Sequence, residues 1–296
     1  MDRHARGILD RGHRLQRLSA DEIARRYPAW RAGTFVDGYF NPQGGYVESG
    51  EVVAQLIVQA VRDGASLMPT TRVVSLCEEA GRVRGVITDA NETLRADHVV
   101  LCTGAWTPYL LPESADFLRA VGQPVFHLRP KDPSLFAPAQ FPTFFADIAK
   151  SGYYGFPVHA LGVVKIANHG IGAAMHPESP ARQVTAAQTA ALRDFLRHAL
   201  PALADAEIVA TRVCLYSDTR DGHLWLARHP QRPGLSLCSG DSGHAFKFAP
   251  VLGDAIADVV EGIATPLLHK FRHRPEVRPA RGEEAARHYE TPPQDC

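Results

Sequence analysis

The sequence predicts a mixed α/β (α+β) fold, a two-layer α/β part with an antiparallel sheet interleaved into it. Three observations carry this prediction. The first is a strand–turn–helix near the C-terminus. There a short β-prone run, "GLSLC", leads through "SGDSGHAFKFAP" into Val251, Leu252, Ala255, Ile256, Val259 and Val260 at helical spacing. The second is the order helix, hairpin, buried strand between "ESGEVVAQL" and "VVLCTGAW". The third is a set of β-rich runs, "GVVKIANHG" and "AEIVATRVCLYSD", on either side of the amphipathic stretch "VTAAQTAALRDFLRHALPAL".

Taken in order, "LSADEIARRYP" opens with Ser19 at a capping position and Glu22 three residues on, a capping-box start that Pro28 stops. "FVDGYFNPQGGYV" is rich in turn formers, and "ESGEVVAQLIVQAVRDGA" reads as an amphipathic helix ending near Gly64. "TTRVVSLCEE" and "GRVRGVITD" form a hairpin candidate. The apolar strand Val99 to Cys102 then breaks at Thr103–Gly104. From Leu111 to Pro157 proline and aromatic residues are dense and the pattern is weak. Beyond Ile263 the chain turns polar, and residues 264–296 are expected to form a polar, partly disordered tail.

Composition narrows the function classes. Among 296 residues, Lys plus Arg and Asp plus Glu both number 32, a balance that argues against nucleic acid or an anionic membrane as main partner. The basic start lacks the apolar core of a signal peptide, and no run is long enough to span a bilayer. Five widely spaced cysteines without a CxxC pair predict a reduced, cytoplasmic chain with no structural zinc, and no HExxH motif is present. There is no internal repeat.

The strand–turn–helix at Cys238–Pro250 aims backbone N–H groups and the positive end of a helix dipole at one point. That arrangement suits an anionic ligand; an ordinary β-to-α connection uses the same residues. Four ordered motifs bear on the choice: "GRVRGVITDANETLRADHVVLCTGAWTPYLL", "YYGFP" with "VVKIANH", "RVCLYSDTRDGH" and "SGHAFKFAP". From about Leu18 to Ile263 the chain resembles the FAD-dependent amine and amino-acid oxidoreductases, specifically the monomeric sarcosine oxidase and N-methyltryptophan oxidase family.

The resemblance implies a two-layer FAD-binding part over residues 41–108 and 234–263, and a substrate or catalytic part over 1–40 and 109–233. It implies that Val73, Thr103, Gly104, Trp106, Gly240, Gly243, His244, Phe246 and Lys247 border the cofactor. Lys247 would also bind the substrate carboxylate, and Cys214 would tether the flavin covalently. Such a tether needs a thiolate, and Arg212 is the cation nearest in sequence. Lys165 would lie close to the flavin and assist reaction with O2, since a fixed cation stabilises developing negative charge. His169, Tyr154 and Tyr216 would line the amine side. The implied reaction oxidises the CH–NH group of a secondary or N-methyl amino acid by hydride transfer to flavin, which O2 then reoxidises to give hydrogen peroxide.

One expected element is missing. No strand–GxGxxG–helix stands near the start, and the only G-x-G, Gly170 and Gly172, lacks the third glycine. By the resemblance, roughly the first hundred residues of the family are absent, which would leave a partial FAD-binding fold. The strands ending at Cys102 and Cys238 would lose their central neighbour and expose apolar edges. The expectations that follow are an oxidase; a non-catalytic remnant or one half of a split enzyme with a separate dinucleotide-binding chain; or a module binding amino acids without flavin.

Overall fold

A computed structural model describes residues 3–276 of the chain. Its helices and strands, in chain order, are α1 (Arg3–Leu9), β1 (Gln16–Ser19), α2 (Ala20–Arg26), β2 (Asp37–Phe40), α3 (Ser49–Arg62), β3 (Val73–Glu79), β4 (Arg82–Thr88), β5 (Thr93–Arg95) and β6 (Val99–Leu101). There follow α4 (Thr107–Leu110), β7 (Leu118–Arg129), β8 (Phe144–Phe145), α5 (Ile148–Ser151), β9 (Tyr153–Phe156), β10 (Val164–Asn168) and β11 (Ala173–Ala174). The last are α6 (Ala186–Ala199), β12 (Glu207–Thr219), β13 (Trp225–Arg228), β14 (Leu235–Ser239), α7 (Ala249–Glu261) and α8 (Pro266–Lys270). The fold is mixed α/β with antiparallel sheets, and the chain divides into two compact units, each made of separated segments.

The first unit comprises Met1–Ala60, Pro124–Gly170 and Gln183–Val213. In its sheet β10 lies antiparallel between β7 and β9, with Lys165 opposite His127 on one side and Phe156 on the other. Alternation sends Val164 and Ile166 to one face, where they meet Phe126, Leu128 and the Leu192 and Leu196 stripe of α6 in a single apolar core. All six are fully buried, each worth about 1.5–3 kcal/mol relative to exposure. The capping box predicted at Ser19 forms, and α6 has a second one. The Glu22 backbone donates to Ser19 Oγ while Glu22 takes the Ser19 N–H, and Thr185 and Gln188 repeat the exchange at α6.

The second unit comprises Val61–Gln123, Ile171–Arg182 and Cys214–Cys296. β14 runs antiparallel to β13 and parallel to β6, with Leu235 opposite Val99 and Leu237 opposite Leu101. The β3–β4 hairpin turns on Ala80 and Gly81, both left-handed at φ 50° and 74°, which is the two-residue turn that matches strand twist. Leu226, Ala255 and Val259 pack α7 onto β13.

Three expectations are corrected. β14 is paired on both sides, with β13 and β6, so among the described residues only β6 of the two strands keeps an unpaired edge. The weakly patterned stretch holds the twelve-residue strand β7. Nearly every β7 residue is buried, so no polar alternation marks it. Its Pro124 falls between the residues paired with β11 (Val121, Gly122) and those paired with β10 (Val125 to Leu128), and β12 also pairs with β7. The expected tail begins with α8, and Arg274 is 3% exposed. Residues 277–296 of that tail lie outside the described residues.

Candidate active site

The carboxyl ends of the parallel pair β6 and β14 run into two glycine-bearing turns, and short polar side chains stitch these together. Thr107 Oγ1 lies 3.0 Å from Thr103 Oγ1 and 2.7 Å from Ser239 Oγ. Ser239 Oγ in turn reaches the Gly104 carbonyl at 3.3 Å and Ser217 Oγ at 3.3 Å. The Asp241 carboxylate accepts from the backbone N–H of Ser217 at 3.0 Å and of Gly243 at 3.1 Å. The second turn then enters α7 through a short 3-10 stretch, Ala245–Phe248, so the helix follows the strand as the sequence predicts.

Two glycines here are required by geometry. Gly240 has φ +73°, and a Cβ on it would stand 2.3 Å from Thr219 Cγ2. Gly243 has φ +75°, and its Cβ would stand 2.5 Å from Tyr216 Cε2, so the turn lies flat on the Tyr216 ring. Gly104, at φ +49°, has nothing within 4 Å of that position, leaving the end of β6 open to an incoming group. Trp106, Phe246, Lys247 and Phe248 are exposed around these turns, and the Lys247 ammonium sits 5.5 Å from the Phe248 ring centre. The flanking phenylalanines therefore do not bury Lys247. Trp106 is held from beneath: its indole N–H donates to Glu178, which pairs with Arg72 at 2.9 Å. The indole bond is the main reason the Glu178 carboxyl lies below its ordinary range.

In the first unit, register places Lys165, His127, Phe156 and Tyr154 on the sheet face opposite the core. The Lys165 ammonium stands 4.8 Å from the Phe156 ring centre. Tyr154 stacks on Phe145 and meets Phe156 edge-on, and Tyr46 also meets Phe156 edge-on. Burial, then the charges of Lys165, His159 and Arg212, hold the His127 imidazole below its ordinary pKa. His169, just past β10, is buried, and its backbone N–H donates to Gly152 O at 2.7 Å.

The predicted site residues thus form two groups. Tyr154, Lys165 and His169 belong to the first unit. Thr103, Gly104, Trp106, Tyr216, Gly240, Gly243, His244, Phe246 and Lys247 belong to the second. Cys214 is half-buried in β12, two residues after Arg212, and Val73 starts β3 opposite Thr88. Sequence reasoning missed His127, Ser239 and Asp241. The first sits in the unrecognised β7, and the other two look like ordinary turn residues.

Parallel strands whose carboxyl ends open into glycine turns before a helix are the α/β arrangement in which ligands are commonly received outside the strand ends. Residues 1–259 match the FAD dependent oxidoreductase family (DAO), and the chain belongs to that family. It is 32% identical over 251 residues to monomeric sarcosine oxidase of Streptomyces avermitilis, covering 82% of this chain and 64% of that protein. It is 28% identical to N-methyl-L-tryptophan oxidase of Shigella dysenteriae, over 83% of this chain and 65% of the relative. The chain therefore spans less than two thirds of the length of these curated relatives.

Among solved structures, fructosamine oxidase from Aspergillus fumigatus (Amadoriase II) matches with a TM-score of 0.78 at 25% identity, over 88% of this chain and 64% of that one. A thermally stable mutant of fructosyl peptide oxidase shares the fold with a TM-score of 0.84 at 22% identity, over 96% of this chain and 73% of that one. No helix among the described residues is long and apolar enough to cross a membrane.

Proposed function

We propose that this chain carries the catalytic part of an FAD-dependent oxidase acting on the CH–NH group of a secondary or N-methyl amino acid. The observation that carries the reading is the Lys165 face in a chain of this family: an ammonium against an aromatic ring, with a histidine of depressed pKa opposite it in register. The residues present fit the cofactor on one side. The open end of β6 at Gly104, the N-terminus of α7 and exposed Trp106 and Phe246 suit a planar anionic group, whereas no GxGxxG turn is present for its pyrophosphate.

On this reading Val73, Thr103, Gly104, Trp106, Gly240, Gly243, His244 and Phe246 hold FAD, and Cys214 is its covalent attachment point. Residues 41–108 and 234–263 form the cofactor part and 1–40 with 109–233 the substrate part. FAD, when bound, supplies the two-electron acceptor. Lys247 anchors the substrate carboxylate, while Tyr154, Tyr216 and His169 shape the amine side and exclude water. Lys165 holds positive charge where reduction of O2 develops negative charge. The neutral state of His127 leaves that charge undiluted by a second cation. The curated relatives are named for sarcosine and N-methyl-L-tryptophan, which supports an N-methyl amino acid as substrate. The reading includes a cytoplasmic setting, supported by five widely spaced cysteines without a CxxC pair.

A second reading has its own observation. β6 ends its sheet, and α3 has no buried residue, with Val53, Leu56, Ile57, Val58 and Val61 all at least 41% exposed. Such faces suit a dinucleotide-binding segment, supplied by a longer chain or by a separate one.

One experiment addresses both readings. Purified chain incubated with FAD is desalted, its visible spectrum recorded before and after acid precipitation, and peroxide formation from N-methyl amino acids measured. Bound flavin with amine-dependent peroxide, lost in Lys165→Met, supports the oxidase, and colour retained in the pellet supports the Cys214 tether. Absence of flavin favours the second reading. Full flavin occupancy without turnover of any amine overturns the first.

A further inference from the structure

Cys238 lies in β14 and Cys102 directly follows β6; the register of these parallel strands ends at Leu101 opposite Leu237, so the next step sets the two cysteines side by side. Alternation puts both on one face. Neighbouring strands lie about 4.8 Å apart, inside the 4.4–6.8 Å Cα separation that a disulfide spans. Each stands next to the last paired residue of its strand, so the two sulfurs are neighbours across the pair. The two differ in access. Cys102 is exposed where β6 forms the sheet edge, whereas Cys238 is half-buried, packed with Leu226 and Val259 against α7.

We propose that Cys102 and Cys238 form a peroxide-reactive dithiol site, Cys102 being the attacking thiol and Cys238 the resolving one. The Cys102 thiolate attacks one oxygen of a hydroperoxide; the O–O bond breaks, the leaving oxygen takes a proton, and Cys102 becomes a sulfenic acid. The Cys238 sulfur then attacks that sulfur, the S–O bond breaks, and the hydroxyl leaves as water with the Cys238 proton. The two sulfurs together lose two electrons and the peroxide gains two. The neighbouring Cys238 thiol lowers the Cys102 thiol to about 7, which raises its share of thiolate near neutrality. The resulting disulfide ties the strand ends directly before the Thr103–Gly104 and Gly240–Gly243 turns. The oxidant comes from solution, so the inference stands apart from the oxidase reading.

The test treats the purified, reduced full chain with hydrogen peroxide at neutral pH and maps its cysteines by peptide mass spectrometry under denaturing, thiol-blocked conditions. The expected product is a cross-linked pair of peptides carrying Cys102 and Cys238, reversed by dithiothreitol, with Cys77 still alkylatable. In Cys238→Ser the cross-link disappears and a dimedone-trapped sulfenic acid appears at Cys102. In Cys102→Ser oxidation of Cys238 slows by at least tenfold. The proposal is overturned if wild-type Cys102 passes to sulfinic acid without a cross-link. It is overturned equally if Cys77 oxidises ahead of Cys102.

Discussion

Replacing Arg274 by alanine should destabilise the second unit more than any exposed ion pair in the protein. All five guanidinium N–H groups are used. Nε and Nη2 donate to the two Asp221 oxygens at 2.6 and 2.8 Å, Nη2 also to His223 O at 2.7 Å, and Nη1 to Leu224 O at 3.0 Å and Arg272 O at 2.9 Å. Both side chains are nearly enclosed, at 4% and 11% exposure. Alanine removes the cation and leaves a buried carboxylate, which costs about 3–5 kcal/mol. At about 2–4 °C per kcal/mol, melting should fall by roughly 10 °C. Far-UV circular dichroism during heating reads this out. Arg129→Ala is the control, because its bond to Glu207 at 3.1 Å is exposed on both sides and worth at most about 1 kcal/mol. Burial pushes the Asp221 carboxyl up, but the hydrogen bonds and charge of Arg274 outweigh it, so the net shift is downward. A carboxyl depressed on folding stabilises fully above its unfolded value of about 3.9, and loses that contribution as pH falls through the folded value. The wild-type advantage over Arg274→Ala should therefore be full at neutral pH and shrink in strong acid. A variant melting within about 2 °C of wild type at neutral pH would refute the reasoning.

Two further outcomes follow from named geometry. Gly243→Ala forces a left-handed alanine against the Tyr216 ring, costing at least 1–2 kcal/mol in urea denaturation; an unchanged midpoint would mean the turn can move off the ring. The rate of Cys102 alkylation should rise about tenfold between pH 6 and pH 8 and then level off, as expected for a thiol near 7. Cys238→Ala removes the neighbouring thiol, so the same profile should continue to rise toward pH 9, and an unshifted profile would assign the lowering to another group.

What the sequence made legible were local signals. Ser19 with Glu22 announces its helix because the cap is a short-range exchange, and the α6 stretch announces itself by its amphipathic period. Ala80–Gly81 marks its hairpin, and the glycines at Gly240 and Gly243 mark the turn before α7. β7 stayed hidden because a strand buried along its length shows neither alternation nor helical period. Arg274 read as tail because its partner Asp221 is 53 residues away. The "TRDGH" motif was legible as part of a family resemblance, yet its Asp221 serves an ion pair that no local pattern announces. His127 gains its meaning only from standing opposite Lys165 across a ladder.

The polar residues at the ends of β6 and β14 face one another more than they face outward, and that division has a consequence. Thr107 is fully buried, Ser217 is 1% and Ser239 3% exposed, and their hydroxyls share one chain of hydrogen bonds ending at the Gly104 carbonyl. Because these groups are satisfied internally, the outward surface of the turns is left to Trp106, Phe246 and Lys247, in a backbone fixed before any ligand arrives. Fixing a loop in its binding conformation beforehand lowers the entropy lost on binding. Ser239→Ala breaks the chain at its centre while leaving Trp106, Phe246 and Lys247 unaltered. It should cost about 1–3 kcal/mol of stability through the buried hydroxyls left short of a partner. Flavin affinity should also weaken, although no group expected to touch the cofactor has changed. Equal loss of stability with unchanged flavin affinity would show that the turns are held by their glycines and by Asp241, and that the hydroxyl chain serves the fold alone.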